Sequence, residues 1–148
     1  MKREIKFRGK STDTGKWVYG FLSFFYTAGR DENGLIFTDK ARIYSPEDGC
    51  CYDVWAETVG QFTGLRDKNK TKIYEGDISR MNYATEISDD YDCYAEEGQY
   101  VGVVVITANK GVCLNPCVKN GLYKTRYKPL SAYRSEVIGN IFDNPDLV

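Results

Sequence analysis

Apolar residues in this chain fall in many short β-branched and aromatic runs, and no amphipathic stretch is long enough for an ordinary helix. The pattern predicts a mainly β protein with helix content below about 20%. The strongest run, Tyr100-Val101-Gly102-Val103-Val104-Val105-Ile106-Thr107, is rich in β-branched residues and suits a central strand. Asn109-Lys110-Gly111 turns the chain after it, so that Val112-Cys113-Leu114 returns alongside. Near the start, Ile5 and Phe7 alternate with Glu4, Lys6 and Arg8, as on a half-buried strand. Trp17 to Tyr26 is the most aromatic segment, and its interior Gly20 points to a bulge or a close backbone approach rather than a helix.

More strands are expected around Tyr52 and Val54, over Thr58 to Thr63, at Ile73-Tyr74, and from Ile78 towards Tyr83. Leu35 to Phe37 with Ala41 to Tyr44 reads as a short hairpin, Leu122 to Tyr127 as a strand, and Ser135 to Phe142 as a last strand or short helix. Trp55-Ala56-Glu57 supports one helical turn, the polar run Arg66 to Lys72 is a solvent-facing turn, and Asp89 to Gly98 reads as a mobile loop or a short helix. Roughly eight to eleven short antiparallel strands favour a small barrel or roll, or two closely packed β subdomains, over helix layers. Residues 1–148 are expected to form one β-rich domain in which 86–98 is a flexible acidic insertion.

Twenty basic and 21 acidic residues leave a formal charge of -1, but the charges are segregated. Residues 1–16 hold Lys2, Arg3, Lys6, Arg8, Lys10 and Lys16 against Glu4 and Asp13, whereas 81–99 hold Glu86, Asp89, Asp90, Asp92, Glu96 and Glu97 with no lysine or arginine. Such asymmetry either orients one copy against another or marks two solvated regions. Cysteines 50, 51, 93, 113 and 117 are odd in number and read as free thiols. With no histidine, a zinc site would need several thiolates gathered from far apart. The longest apolar run is far below the roughly 20 residues of a membrane span. No apolar middle region follows the basic N-terminus as in a signal peptide, so a cytosolic protein is expected.

The lack of histidine removes Ser-His and Cys-His catalysis within one chain. Gly60 and Gly64 are not followed by Gly-Lys-Ser/Thr, and Gly9 to Gly15 does not end in it either, so nucleotide-dependent chemistry is not indicated. Glu75-Gly76-Asp77 is the most tempting carboxylate pair, with Glu57 and Asp67 in the same stretch. Carboxylate catalysis needs a set separation and one raised pKa, whereas a glycine-centred turn needs only acids that accept backbone hydrogen bonds. Glu75, Gly76 and Asp77 are therefore assigned to a structural turn, and no catalytic, cofactor or metal residue is assigned.

Three segments, in this order along the chain, carry a family resemblance. They are Ile5-Lys6-Phe7-Arg8-Gly9-Lys10 with Thr14-Gly15-Lys16-Trp17-Val18-Tyr19-Gly20; Glu57-Thr58-Val59-Gly60-Gln61-Phe62-Thr63-Gly64-Leu65 continuing through Asp67-Lys68-Asn69 to Lys72-Ile73-Tyr74-Glu75-Gly76-Asp77-Ile78; and Val137-Ile138-Gly139-Asn140-Ile141-Phe142-Asp143-Asn144-Pro145. Together they resemble the YopX-like family of phage and prophage proteins. The resemblance implies a largely β, barrel-like fold expressed from a mobile element in a bacterial cytoplasm, and brings no chemistry with it. Members often carry Asn-Gly in the central turn; this chain has Asn69-Lys70, which predicts a longer or differently bulged turn.

Two binding roles remain, with an enzyme acting through carboxylates as a third reading. The preferred one is a non-enzymatic protein-contact module that self-associates, because a second copy shields exposed strand edges. The alternative is a small β-barrel that binds nucleic acid through Lys2, Arg3, Lys6, Arg8 and Lys10, interleaved with Phe7, Trp17 and Tyr19.

Overall fold

The computed structural model describes residues 4–26, 29–88 and 93–148, with side chains for all of these except Phe37 and residues 85–96. The chain is mainly β, with antiparallel sheets and three single 3-10 turns, and it divides into two compact units, residues 1–64 and 65–148. Among the described residues, no helix is long and apolar enough to cross a membrane.

The first unit holds β1 (Phe7–Lys10), β2 (Trp17–Tyr26), β3 (Gly29–Arg30), β4 (Ile36–Phe37), β5 (Lys40–Ser45), β6 (Cys50–Trp55) and most of β7 (Gly60–Arg66). Its main sheet runs β6-β5-β2-β1-β7. Period-two alternation sends Phe7, Val18, Leu22, Ala41, Ile43 and Val54 to one side, where they form the aliphatic core with Val59. A bulge between Leu22 and Phe24 keeps β2 in step with β5. Gly20 marks a close approach, since a Cβ there would lie 1.9 Å from the Tyr44 carbonyl oxygen. One bridge, Ser11 with Val54, and a hydrogen bond from the Thr12 N–H to the Asp53 carbonyl at 3.0 Å tie the end of β1 to β6.

The expected hairpin between Leu35–Phe37 and Ala41–Tyr44 is not formed. Both edges of β5 are taken by β2 and β6, and Ile36–Phe37 pairs instead with Gly29–Arg30. The helical turn falls at Ala56–Thr58, where Thr58 Oγ1 accepts from the Lys10 N–H at 2.8 Å.

The second unit opens with the end of β7, which turns into β8 (Lys72–Tyr74). It continues with β9 (Asp77–Ser88), β10 (Cys93–Thr107), β11 (Gly111–Lys119), β12 (Tyr123–Thr125), β13 (Lys128–Pro129) and β14 (Ser135–Asn140). Strand order is β12-β11-β10-β9-β14, with β13 also on β11. Ile73, Met81, Tyr100, Val104, Leu114 and Cys117 form its core. The count of fourteen described strands exceeds expectation because several are only two or three residues long.

Cys93 to Gly98 is strand, not loop or helix. Cross-strand pairing supplies what the acidic sequence does not: the ladder runs from Cys93 opposite Ser88 to Val103 opposite Ile78. Residues 89–92 lie outside the described residues. Ser135–Asn140 is likewise a strand, with an irregularity between Val137 and Gly139.

Candidate functional site

In the first unit, the residues that alternate with the core point to the opposite, outer face of the sheet. Register places Arg8 opposite Tyr19 and Lys10 opposite Trp17 across β1 and β2. Phe21 lies opposite Tyr44, Phe24 opposite Arg42 and Tyr26 opposite Lys40 across β2 and β5. On β6, Trp55 lies opposite Lys40 and Asp53 opposite Arg42. Directly opposed antiparallel residues share a side, so cations and rings form one interleaved surface.

Side-chain contacts confirm the interleaving. Arg8 stacks 4.5 Å above the Trp17 ring and Lys10 lies 5.5 Å from it. Lys6 is 5.9 Å from the Tyr19 ring, Lys40 5.9 Å from Trp55, and Arg42 within 5.6 Å of both Phe24 and Tyr26. Phe24 and Tyr26 meet edge to face at 5.0 Å. Tyr19, Phe21, Phe24, Tyr44 and Trp55 remain 38–53% exposed, far more than core rings would be.

The strands of this sheet carry a single acid, Asp53. It is already engaged, because Oδ1 accepts from the Tyr26 hydroxyl at 3.0 Å and from Arg42 Nε at 3.3 Å. Desolvation, then the Asp53 hydrogen bond, hold the Tyr26 phenol above its ordinary pKa. The other acids of this unit lie outside the strands: Glu4 before β1, Asp13, Asp31, Glu32, Asp39, Glu47 and Asp48 in the connections between strands, and Glu57 in the 3-10 turn; of these, Glu47 and Asp48 line a pocket together with Trp17 and Tyr19.

Of the residues assigned to a contact surface from the sequence, Lys6 and Lys10 are brought together, partly exposed, on this face, Arg8 lies on the same side of the sheet but is buried at 6% exposure against Trp17, and Lys2 and Arg3 lie outside the described residues. Phe7 packs into the core instead, since its side chain alternates with Arg8. Sequence reasoning missed Lys40, Arg42, Phe21, Phe24, Tyr44 and Trp55. The alternation Lys40-Arg42-Tyr44 was a signal for part of this set, but the pairing that aligns it with β2 is long-range.

Glu75 and Gly76 form the turn between β8 and β9, with Gly76 at φ 85°, and the Asp77 carboxylate accepts from the Tyr74 N–H at 2.8 Å. Asp67, buried in the preceding turn, accepts three backbone N–H groups: Asn69 and Thr71 on Oδ1 and Val137 on Oδ2, each at 2.9 Å. Among the described residues, no group of three or more histidine, cysteine, aspartate or glutamate side chains is placed to hold a metal. Cys50 and Cys51 are exposed free thiols, and Cys113 and Cys117 buried ones; desolvation raises the Cys117 thiol pKa.

Fold and site together define a mainly β protein of two units, the first of which presents a cationic, aromatic outer sheet face. The chain belongs to the YopX protein family, whose model matches residues 6–148. It is similar to the crystal structure of protein EF1440 from Enterococcus faecalis at 21% identity, over 99% of each chain, with a TM-score of 0.40. No curated protein matches it.

Proposed function

We propose that this chain is a non-enzymatic binding module whose ligand is single-stranded nucleic acid, held on the outer face of β1, β2, β5 and β6. Bases stack on the exposed rings of Tyr19, Phe21, Phe24, Tyr44 and Trp55, while Lys6, Lys10 and Lys40 at the same face draw in phosphates. The observation that carries the reading is segregation: these strands combine seven outward rings and several cations with one acid that Arg42 and Tyr26 already occupy. A duplex keeps its base faces stacked inside, so a stacking surface favours single strands.

The Ser11–Val54 bridge supports viewing β6, β5, β2 and β1 as a small barrel with an aliphatic interior, which would fix the rings on a rigid wall. The bacterial cytoplasm implied by the family resemblance would bring the protein together with such ligands.

Fluorescence anisotropy with labelled single- and double-stranded DNA and RNA at low salt tests this. Phe21→Ala combined with Tyr44→Ala removes two exposed rings and should weaken single-strand binding at least tenfold, since a stacked base contributes about 1–3 kcal/mol. Lys6→Gln and Lys40→Gln should each lower the salt slope by about 0.7. No salt-dependent complex with any of the four polymers would overturn the proposal.

A further inference from the structure

Two connections of the first unit lie at one end of the ring face. The β1–β2 connection, from Ser11 to Lys16, is closed by the Ser11 N–H on the Lys16 carbonyl at 2.9 Å and by the Gly15 N–H on the Ser11 carbonyl at 3.0 Å. The β5–β6 connection, from Pro46 to Gly49, is closed by the Gly49 N–H on the Ser45 carbonyl at 2.9 Å, with Gly49 at φ 72°. Residues of both connections line a cavity of about 290 Å³, among them Lys16, Glu47 and Asp48, together with Trp17, Tyr19 and Tyr52. Trp17 and Tyr19 also belong to the outer ring array, so the face and the cavity are continuous.

The two acids of the cavity are not equivalent. Asp48 is occupied within its own turn: one carboxylate oxygen accepts the Cys50 N–H at 3.0 Å and the other accepts the Tyr52 hydroxyl. Glu47 is exposed, and its carboxylate has no hydrogen-bond or ion-pair partner among the described residues. The Lys16 ammonium likewise has no ion-pair partner among them. An ionised carboxylate only accepts hydrogen bonds, so the group that it binds must bring donors. A cationic ligand is disfavoured, because Arg8 and Lys10 lie 4.5 and 5.5 Å from the Trp17 ring and Lys16 stands at the cavity itself. A neutral, planar, donor-bearing group attached to an anion fits all three features, and a nucleobase on its phosphate is such a group.

We propose that this cavity selects guanine, with the Glu47 carboxylate accepting from N1–H and the 2-amino group and with Lys16 as the cation for its phosphate. This selection rests on the single-strand binding proposed above and adds a base preference to it. On its Watson–Crick edge guanine sets two donors side by side, which match the two oxygens of a carboxylate. Adenine and cytosine set one amino group beside an acceptor nitrogen, and uracil and thymine set a single N–H between two carbonyls, so each turns lone pairs against Glu47. Tyr19, an exposed ring shared by face and cavity, offers the base a stacking surface.

Fluorescence anisotropy of the full chain with labelled single strands of about ten nucleotides, identical except for one central base, tests the selection. The strand with guanine should bind at least about fivefold more tightly than those with adenine, cytosine or uracil, the lower end of what one bidentate pair discriminates. Hypoxanthine, which keeps N1–H and lacks the 2-amino group, should fall between. Glu47→Gln should bring the ratio to about one, because the amide turns a donor towards the donors of guanine. Circular dichroism confirms the fold of this variant. The preference should be equal in DNA and RNA, since it is read from the base edge. Equal affinity for all the bases, a guanine preference that survives Glu47→Gln, or discrimination by sugar rather than base overturns the selection and leaves single-strand binding standing. No complex with any strand overturns both.

Discussion

Asp67 is the residue on which the turn between β7 and β8 depends, and its replacement gives a stability change that can be worked out bond by bond. Its carboxylate is 5% exposed and accepts the Asn69, Thr71 and Val137 N–H groups. Asn69 and Thr71 are exposed, so water takes over their N–H groups and each lost bond costs about 0.5–1 kcal/mol. The Val137 N–H belongs to β14, where losing a charged acceptor costs about 1–3 kcal/mol. Asp67→Ala should therefore destabilise by about 4 kcal/mol. Asp67→Asn keeps Oδ1 and presents an amide NH2 to Val137, which should cost about 2 kcal/mol. Urea unfolding followed by circular dichroism gives both values, and faster amide exchange at Val137 in both variants locates the cause. If both variants lie within about 0.5 kcal/mol of wild type, the carboxylate does not hold the turn to β14 and the reasoning fails.

Lys70 occupies the left-handed region at φ 66°, so Lys70→Gly should stabilise by about 0.5–1 kcal/mol in urea unfolding, the relief of strain exceeding the added chain entropy. Gly102→Ala should destabilise by about 3 kcal/mol on the same measurement, because the new Cβ would lie 2.6 Å from the Pro116 carbonyl oxygen and 2.9 Å from Leu114 Cβ. The Tyr52 hydroxyl donates to the Asp48 carboxylate, and its pKa is pushed up to about 12, chiefly by that hydrogen bond. Because the folded value is raised, the contribution is full below the ordinary tyrosine value of about 10 and disappears as pH rises through about 12. In an ultraviolet titration, Asp48→Asn should return one tyrosine towards the ordinary value.

The strands with apolar or aromatic alternation were legible in the sequence. Tyr100 to Thr107 is the buried half of β10, and Trp17 to Tyr26 is β2, with Gly20 at a close approach. Cys93 to Gln99 was not legible, because Glu96 and Glu97 break the apolar pattern of a strand that its ladder to β9 places. The expected hairpin at Leu35 to Tyr44 failed for a related reason: local spacing could not show that β5 finds partners on both edges. Asn69-Lys70 did predict a departure from the two-residue turn, and the left-handed Lys70 with Asp67 folded back over the loop is its form. For the site, Lys6, Arg8, Lys10, Trp17 and Tyr19 came from one local alternation. Lys40, Arg42, Tyr44 and Trp55 join them only through registers between distant strands.

The chain's only two tryptophans, Trp17 and Trp55, both lie on the proposed nucleic-acid face, one at each side of the ring array. Intrinsic tryptophan emission during titration with single-stranded oligonucleotide is therefore a direct readout of where the ligand sits. Stacked bases should quench that emission in step with the anisotropy change, added salt should restore it, and Phe21→Ala with Tyr44→Ala should shift the quenching to at least tenfold higher ligand concentration. A complex seen by anisotropy while tryptophan emission stays constant would place the ligand elsewhere and contradict the account.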